Sequence, residues 1–147
     1  MQKEQQRVFL VSHKAYYRVK YSFKNGKIIR YKRVPLESIR VIHHGNGASM
    51  KHYYLLFTSI DEKEEVYRDL YFSEGIKGDF INLSGQEIIT LIVDAIKQYH
   101  SEISSLKNLP ELKEQETLVD RKKCFVVSKS SLLLPQKSVS TLEKSDF

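Results

Sequence analysis

The spacing of apolar residues predicts β-strands over the first half of the chain. A short apolar run from Val8 to Val11 is typical of a buried strand. A second strand is predicted from strict alternation, with polar residues between the apolar positions Tyr17, Val19, Tyr21 and Phe23. Lys24-Asn25-Gly26-Lys27 is a strong hairpin signal, and residues 28–34 follow it as the return strand. The chain therefore begins with one strand and a β-hairpin.

The register of this hairpin follows from the side chains that share a face. A two-residue Asn-Gly turn would put basic side chains on the face that the tyrosines bury. A three-residue loop, with Gly26 in the left-handed conformation, instead pairs Tyr31 with Val19 and Ile29 with Tyr21. We therefore predict a glycine bulge at Gly26. The tyrosines placed on the buried face are Tyr17, Tyr21 and Tyr31, with Tyr16 on the exposed one.

Three more strands are predicted before residue 73. Val34-Pro35-Leu36 indicates a bend or a sheet edge, because Pro35 has no amide hydrogen to donate within a central strand. The strands are expected at residues 39–43, 53–60 and 66–72. A glycine-containing loop at residues 45–49 separates the first two, and the polar residues 61–64 separate the last two.

One amphipathic helix is predicted after the strands. Ser84-Gly85-Gln86-Glu87 matches the capping box that begins many helices. Apolar residues then recur three and four positions apart, at Ile88, Ile92, Ala95, Ile96, Tyr99 and Ile103. The helix is expected to lie on the sheet by this face. Beyond Ser104, serine, lysine and glutamate dominate and two prolines interrupt, which indicates a mobile tail.

This order of elements predicts an α+β fold. Several antiparallel strands followed by one helix is the order of a pleckstrin-homology-like (PH-like) domain, an antiparallel β-barrel or sandwich closed by one C-terminal amphipathic helix. We assign residues 7–103 to this domain and residues 104–147 to a flexible, mostly disordered tail. At 147 residues, one domain with one core is expected.

Several short segments carry a resemblance to a known family. They are Arg7-Val8-Phe9-Leu10-Val11-Ser12, Tyr21-Ser22-Phe23, Arg33-Val34-Pro35-Leu36 with Ile39 and Gly45, and the helix from Ile88 to Tyr99. These segments resemble the homology domain that follows the catalytic part of a Sac-family inositol phosphatase, which is shared with small vesicle-associated proteins. The resemblance implies a PH-like fold, homodimerisation and a role in membrane traffic or phosphoinositide metabolism. A PH-like barrel usually has an element before the position of Val8, which suggests a truncated or spliced chain.

Charge is distributed unevenly along the chain. The net charge is +6, from 24 Lys and Arg residues against 18 Asp and Glu residues. The segment from Lys14 to Arg40 holds nine basic residues against one acid, Glu37, a formal +8. From Asp61 to Asp79 there are seven acids against three bases, a formal −4. A basic segment of this density indicates an acidic partner.

The basic hairpin is the candidate binding site. In the predicted register Arg18 lies opposite Lys32 and Lys20 lies opposite Arg30 on the exposed face. The candidate contacts for a lipid or another anion are Arg18, Lys20, Lys24, Lys27, Arg30 and Lys32. The hairpin either binds an anionic headgroup or membrane leaflet, or it meets the acidic segment of another copy or a protein partner. A solvated face with no specific partner is the third possibility.

The sequence favours a binding module over an enzyme. Sac-type phosphatases use a cysteine nucleophile six positions before an arginine, whereas Ser130 stands six positions after Cys124. His43 and His44 point to opposite faces of a strand, and with His52 they lack the spacing of a zinc site. We therefore predict no catalytic residue, no metal and no cofactor.

The basic hairpin predicts an anionic partner, and the resemblance implies homodimerisation and a place in membrane traffic. We expect a cytoplasmic protein, peripheral on endosomal or vesicle membranes, that contacts an anionic phospholipid surface or an acidic protein face and forms a homodimer. The alternative function is a homodimerisation or adaptor domain that binds protein without contacting lipid. Nucleic acid is not an expected partner, because the tyrosines that stack on bases face inward. Ser145-Asp146-Phe147 matches a PDZ ligand, but three residues are weak support.

Overall fold

The computed structural model describes residues 5–69, 84–119, 121 and 123–128. Its elements are β1 (Gln6–Val11), β2 (Ala15–Ser22), β3 (Lys27–Pro35), a 3-10 turn (Leu36–Ser38), β4 (Ile39–Asn46), β5 (Tyr53–Ser59), β6 (Glu64–Arg68), α1 (Gly85–Lys107), β7 (Lys113–Glu116) and β8 (Phe125–Val127). The prediction of an α+β fold with one helix after the first six strands is confirmed for these residues.

The strands form one open, mixed sheet of eight strands in the order β3-β2-β1-β8-β6-β5-β4-β7. Strands β1 to β3 form one antiparallel meander, and β4 to β6 form a second. The short strand β8 lies between them and runs parallel to both β1 and β6. Strand β7 runs parallel to β4 at one edge. The prediction of a wholly antiparallel sheet is therefore wrong, because two strands after the helix return to the sheet.

The main core lies between α1 and one face of the sheet. Helix α1 packs against β5, β1 and the 3-10 turn. An aromatic stack stands at the centre of this core, with the ring of Tyr16 4.8 Å from that of Phe9 and 4.7 Å from that of Phe57. The predicted exposure of Tyr16 is wrong, since its side chain is fully buried in this stack. The opposite face of β1 and β2 carries a second buried cluster, which includes Tyr17 and Val19.

Three of the four predicted pairs of the basic hairpin are confirmed, but the pair of Tyr21 with Ile29 is wrong because the bulge is displaced. Arg18 pairs with Lys32, Val19 with Tyr31 and Lys20 with Arg30. The register then shifts, and Tyr21 pairs with Ile28 rather than Ile29. The extra residue of the bulge is therefore Ile29 and not Gly26. Gly26 does adopt the predicted left-handed conformation, with φ of 64°.

The predicted capping box begins α1. The Ser84 hydroxyl accepts from the amide of Glu87 over 3.2 Å, and the Glu87 carboxylate accepts from the amide of Ser84 over 3.3 Å. The helix has 23 residues and ends at Asn108, which adopts the left-handed conformation at the C-cap. It therefore extends one turn beyond the predicted apolar stripe.

Two predicted segments differ from the structure. Gly45 and Asn46 belong to β4 rather than to a loop, because β4 pairs along its whole length with β5. The described part of the predicted tail supplies the end of α1 together with β7 and β8. The ordered part of the molecule thus extends past residue 103. Residues 70–72 of the predicted sixth strand and residues 129–147 of the predicted tail lie outside the described residues.

Candidate functional site

Cationic side chains line a small pocket where β1, β2, β3 and β8 meet. Its volume is about 200 Å³. The residues that line it are Gln5, Arg7, Arg18, Lys20, Arg30, Tyr31, Lys32 and Phe125. We call it the cationic pocket. Of the eight lining residues that the structure describes, five are basic and none is acidic, so this lining favours an anion.

Strand registers bring these residues together. The hairpin pairs Lys20 with Arg30 and Arg18 with Lys32, so four cations share one face. Strand β1 pairs Val8 with Val19, which places Arg7 beside Lys20. Strand β8 runs parallel to β1 on one side and to β6 on the other. Its first residue, Phe125, pairs with Tyr67 of β6. The pocket is therefore built from both the start of the chain and its last described strand.

Glu65 is the counter-ion of the hairpin within the same chain. Arg18 Nη1 donates to Glu65 Oε2 over 3.1 Å, and Lys32 Nζ donates to Glu65 Oε1. The hydroxyls of Tyr16 and Tyr67 donate to Glu65 Oε2 over 3.0 and 2.9 Å. One carboxylate thus receives four hydrogen bonds, which matches the acceptor capacity of an ionised glutamate.

The four donors keep Glu65 ionised although it is partly buried. Burial acts to raise the pKa of Glu65, but the hydrogen bonds from Lys32 and Tyr67 and the charge of Arg18 outweigh it. The net result is a pKa below the ordinary value. Burial raises the pKa of both Tyr16 and Tyr67, so both hydroxyls stay protonated and act as donors.

Within the described part of the chain, Glu65 leaves most of the positive charge in the pocket uncompensated. Five described cationic side chains against this one carboxylate give a formal +4. Among the residues that the structure describes, no carboxylate forms an ion pair with Arg7, Lys20 or Arg30. The pKa of Arg7 is lowered, first by burial and then by the charges of Arg30 and Arg18. This mutual repulsion would be relieved by a bound anion.

The ring of Phe125 forms one wall of the pocket. Its centroid lies 3.9 Å from Cζ of Arg18 and 5.5 Å from Cζ of Arg7. Both distances are within the range of cation–π contacts. Phe125 therefore contacts two guanidinium groups of the pocket.

The predicted site residues divide into two groups. Arg18, Lys20, Arg30 and Lys32 line the cationic pocket, whereas Lys24 and Lys27 are exposed at the turn and do not line it. Arg7, Glu65 and Phe125 also belong to the site, although they lie outside the hairpin that the sequence indicates. Arg7 was detectable as the basic residue before the first strand, but Glu65 and Phe125 reach the hairpin only through long-range pairing.

A larger cavity of about 420 Å³ has a different character. It lies between the end of α1 and the start of the hairpin, and its lining combines cations with Glu37 and Glu102. Lys107 donates to Glu37 over 2.7 Å, so the charges there partly offset each other. The smaller cationic pocket is consequently the better candidate for an anion.

The histidines considered as metal ligands each lie within hydrogen-bond distance of another protein side chain. His44 Nδ1 lies 2.7 Å from the Tyr53 hydroxyl and its Nε2 lies 3.0 Å from Glu114. His43 lies 2.6 Å from the Thr117 hydroxyl, and His52 lies 3.3 Å from the carboxylate of Asp69. Within the described ranges, no three or more His, Cys, Asp or Glu side chains are grouped to hold a metal ion.

The remaining sequence features are the cysteine, the C-terminus and the question of a membrane span. Cys124 is half-buried just before β8. Ser130, six positions after it, and the C-terminal Phe147 lie outside the described residues. No helix in the described part of the chain is long and apolar enough to cross a membrane.

Comparisons with known proteins agree with the resemblance inferred from the sequence. Residues 1–67 match the hSac2 family model, which is described as inositol phosphatase. Among solved structures, the chain is similar to the hSac2 domain from human phosphoinositide phosphatase Sac2. The TM-score is 0.53 at 16% sequence identity, over 79% of this chain and 68% of that one. No curated protein matches the chain significantly. The predicted resemblance to the homology domain of a Sac-family inositol phosphatase is confirmed.

Proposed function

We propose that the chain is a non-catalytic, PH-like module that binds phosphoinositide headgroups through the cationic pocket and serves an inositol phosphatase in membrane traffic. The observation that carries the proposal is the pocket itself, in which five basic side chains converge and Glu65 is the one carboxylate among the described residues that offsets them. Phosphate groups on an inositol ring supply the compact negative charge that such a pocket lacks.

The matched family supports the phosphatase context. The family is described as inositol phosphatase, and the similar solved structure is a domain of a phosphoinositide phosphatase. A module that binds a phosphorylated inositol lipid would hold such an enzyme close to its substrate. The absence of an arginine six positions after Cys124 supports a non-catalytic role.

The tip of the hairpin supports a contact with the membrane surface. Phe23 and Ile29 are 56% and 58% exposed, and Lys24 and Lys27 are exposed in the same turn region. Basic residues near an anionic leaflet contribute about 1 kcal/mol each. In this proposal the pocket binds the headgroup while the tip rests on the leaflet, which would make the protein peripheral on cytoplasmic faces of endosomal or vesicle membranes.

The alternative function is a homodimerisation or adaptor module that never contacts lipid. The described structure lends it less support, because the acid that the basic hairpin engages, Glu65, comes from its own chain. Homodimerisation remains compatible with lipid binding, since the pocket lies within one chain.

Liposome co-sedimentation tests the proposal. The full chain is mixed with neutral vesicles and with vesicles that contain phosphoinositides, and the pelleted fraction is measured. We expect the wild type to pellet only with phosphoinositide vesicles, and the double variant Lys20→Glu/Arg30→Glu to remain in solution. Lys51→Glu/Lys113→Glu is the matched control, because it changes the net charge equally and both residues are exposed and do not line the pocket. Equal pelleting of wild type and double variant would favour the protein-binding alternative.

A further inference from the structure

The cationic pocket depends on a strand that lies beyond the predicted domain. Strand β8 has only three residues, yet it joins the two antiparallel meanders of the sheet. Its backbone is tied to β1 on one side, where the amide of Val126 donates to Gln5 O over 3.0 Å and the amide of Ser128 donates to Arg7 O over 2.7 Å. Gln5 and Arg7 also line the pocket. The residues that anchor β8 are thus pocket residues.

The side chain of Phe125 makes a second connection between β8 and the pocket. Its ring contacts the guanidinium groups of Arg18 and Arg7, at 3.9 and 5.5 Å. Arg7 is therefore linked to β8 twice, through its carbonyl and through its guanidinium group. Without the ring, two mutually repelling cations would lose the surface that holds them together.

We propose that Phe125 is a positioning residue of the cationic pocket, whose ring orients Arg7 and Arg18 toward a bound phosphomonoester and thereby links phosphate binding to the docking of β8. This inference rests on the proposed function and adds a residue and a conformational link to it. The phosphomonoester belongs either to a membrane lipid or to a soluble inositol phosphate, since both present the same dianionic group.

The linkage has a reciprocal consequence. An anion that binds the assembled pocket more tightly than the disassembled one must stabilise β8 in its place between β1 and β6. The amides of Val126 and Ser128, which hydrogen-bond to β1, report directly on that docking. Cys124 precedes β8 by one residue, so the alkylation rate of its thiol provides a second reporter.

Substitutions at Phe125 separate positioning from packing. Phe125→Leu keeps an apolar side chain but removes the aromatic face, whereas Phe125→Tyr keeps the ring. Dissociation constants for soluble inositol 1,4,5-trisphosphate are measured by titration calorimetry on the full chain at fixed ionic strength. We expect Phe125→Leu to weaken binding about tenfold, as two lost cation–π contacts imply, and Phe125→Tyr to bind within about twofold of the wild type. Equal affinity of Phe125→Leu and wild type would overturn the inference.

Hydrogen exchange on the wild type gives a test that needs no variant. Saturating inositol trisphosphate is expected to slow exchange at the amides of Val126 and Ser128 and to slow alkylation of Cys124. Unchanged rates at β8 in a protein that binds the trisphosphate would overturn the linkage and leave the proposed function standing. Wild-type protein that pellets with phosphoinositide vesicles but does not bind the trisphosphate would assign the phosphomonoester to a membrane lipid, and equal pelleting of Phe125→Leu and wild type would then overturn the role of Phe125. Failure to bind either probe would overturn both proposals.

Discussion

The guanidinium of Arg18 lies 3.1 Å from the carboxylate of Glu65, so the basic hairpin is partly neutralised within its own chain. Both side chains are largely buried, with 19% and 15% of their surface exposed. A pair this shielded from water is costly to break, because the remaining charge is left without a partner. Glu65 therefore fixes the hairpin against the core and also sets how much positive charge is left for a ligand.

Removal of the Glu65 carboxylate should destabilise the fold. In Glu65→Ala, Arg18 loses its buried partner and the hydroxyls of Tyr16 and Tyr67 lose their acceptor, which should cost about 3 kcal/mol of unfolding free energy. Glu65→Gln keeps an acceptor oxygen and should cost about half as much. Urea unfolding with an unchanged m-value measures both. Equal stability of wild type and Glu65→Ala would show that the pair is not formed.

The same carboxylate should make stability depend on pH in acid. The folded-state pKa of Glu65 lies below its ordinary value of 4.5, so the unfolded chain takes up a proton first as the pH falls. The stabilisation from Glu65 is thus complete above about pH 4.5 and is lost as the pH falls through the folded-state pKa. We expect the difference in unfolding free energy between wild type and Glu65→Gln to shrink below pH 4.5. A difference that stays constant from pH 6 to pH 3 would contradict this assignment.

The close approach of β4 to the segment after β7 should make Gly45 intolerant of a side chain. A Cβ atom at Gly45 would lie 1.8 Å from the carbonyl oxygen of Thr117, which is a backbone clash. Gly45→Ala is therefore expected to displace this segment and to accelerate hydrogen exchange at the amides of Thr117 and Val119, which donate to β4. The neighbouring substitution Asn46→Ala is the control. Unchanged exchange in Gly45→Ala would show that this segment does not lie against β4.

The capping box should contribute measurably to the helix. Ser84→Ala removes the acceptor for the amide of Glu87 and should lower the unfolding free energy by about 1 kcal/mol. Ser84→Asp restores an acceptor and adds a negative charge at the helix N-terminus, so it should recover most of the loss. Thermal unfolding followed by circular dichroism distinguishes the two variants. Equal melting temperatures for Ser84→Ala and wild type would mean that the cap contributes nothing.

Local patterns explain what the sequence could predict. Three pairs of the basic hairpin follow from which side chains share a face, the start of α1 follows from a four-residue capping box, and the structure agrees with both. The bulge was placed at Gly26 because glycine favours a left-handed turn, whereas the structure has it at Ile29. A bulge position depends on how the whole strand packs, which turn chemistry does not determine.

Long-range pairing explains what the sequence did not reveal. Strand β8 is a three-residue apolar stretch without periodicity, and β7 is entirely exposed. Neither strand has a pattern that marks it as part of a sheet. Glu65 and Phe125 belong to the site only because β6 and β8 pair beside the hairpin meander. The sequence pattern thus predicts the four basic pocket residues of the hairpin. It does not predict Glu65 and Phe125, which contact them.

Binding of an anionic headgroup in the cationic pocket can be observed residue by residue through amide chemical-shift mapping. The full chain, labelled with ¹⁵N, is titrated with inositol 1,4,5-trisphosphate. We expect the largest saturable shifts at Arg7, Lys20, Arg30 and Phe125, and we expect these shifts to vanish in Lys20→Glu/Arg30→Glu. Shifts confined to the turn lysines Lys24 and Lys27, or no saturable shifts at all, would contradict it.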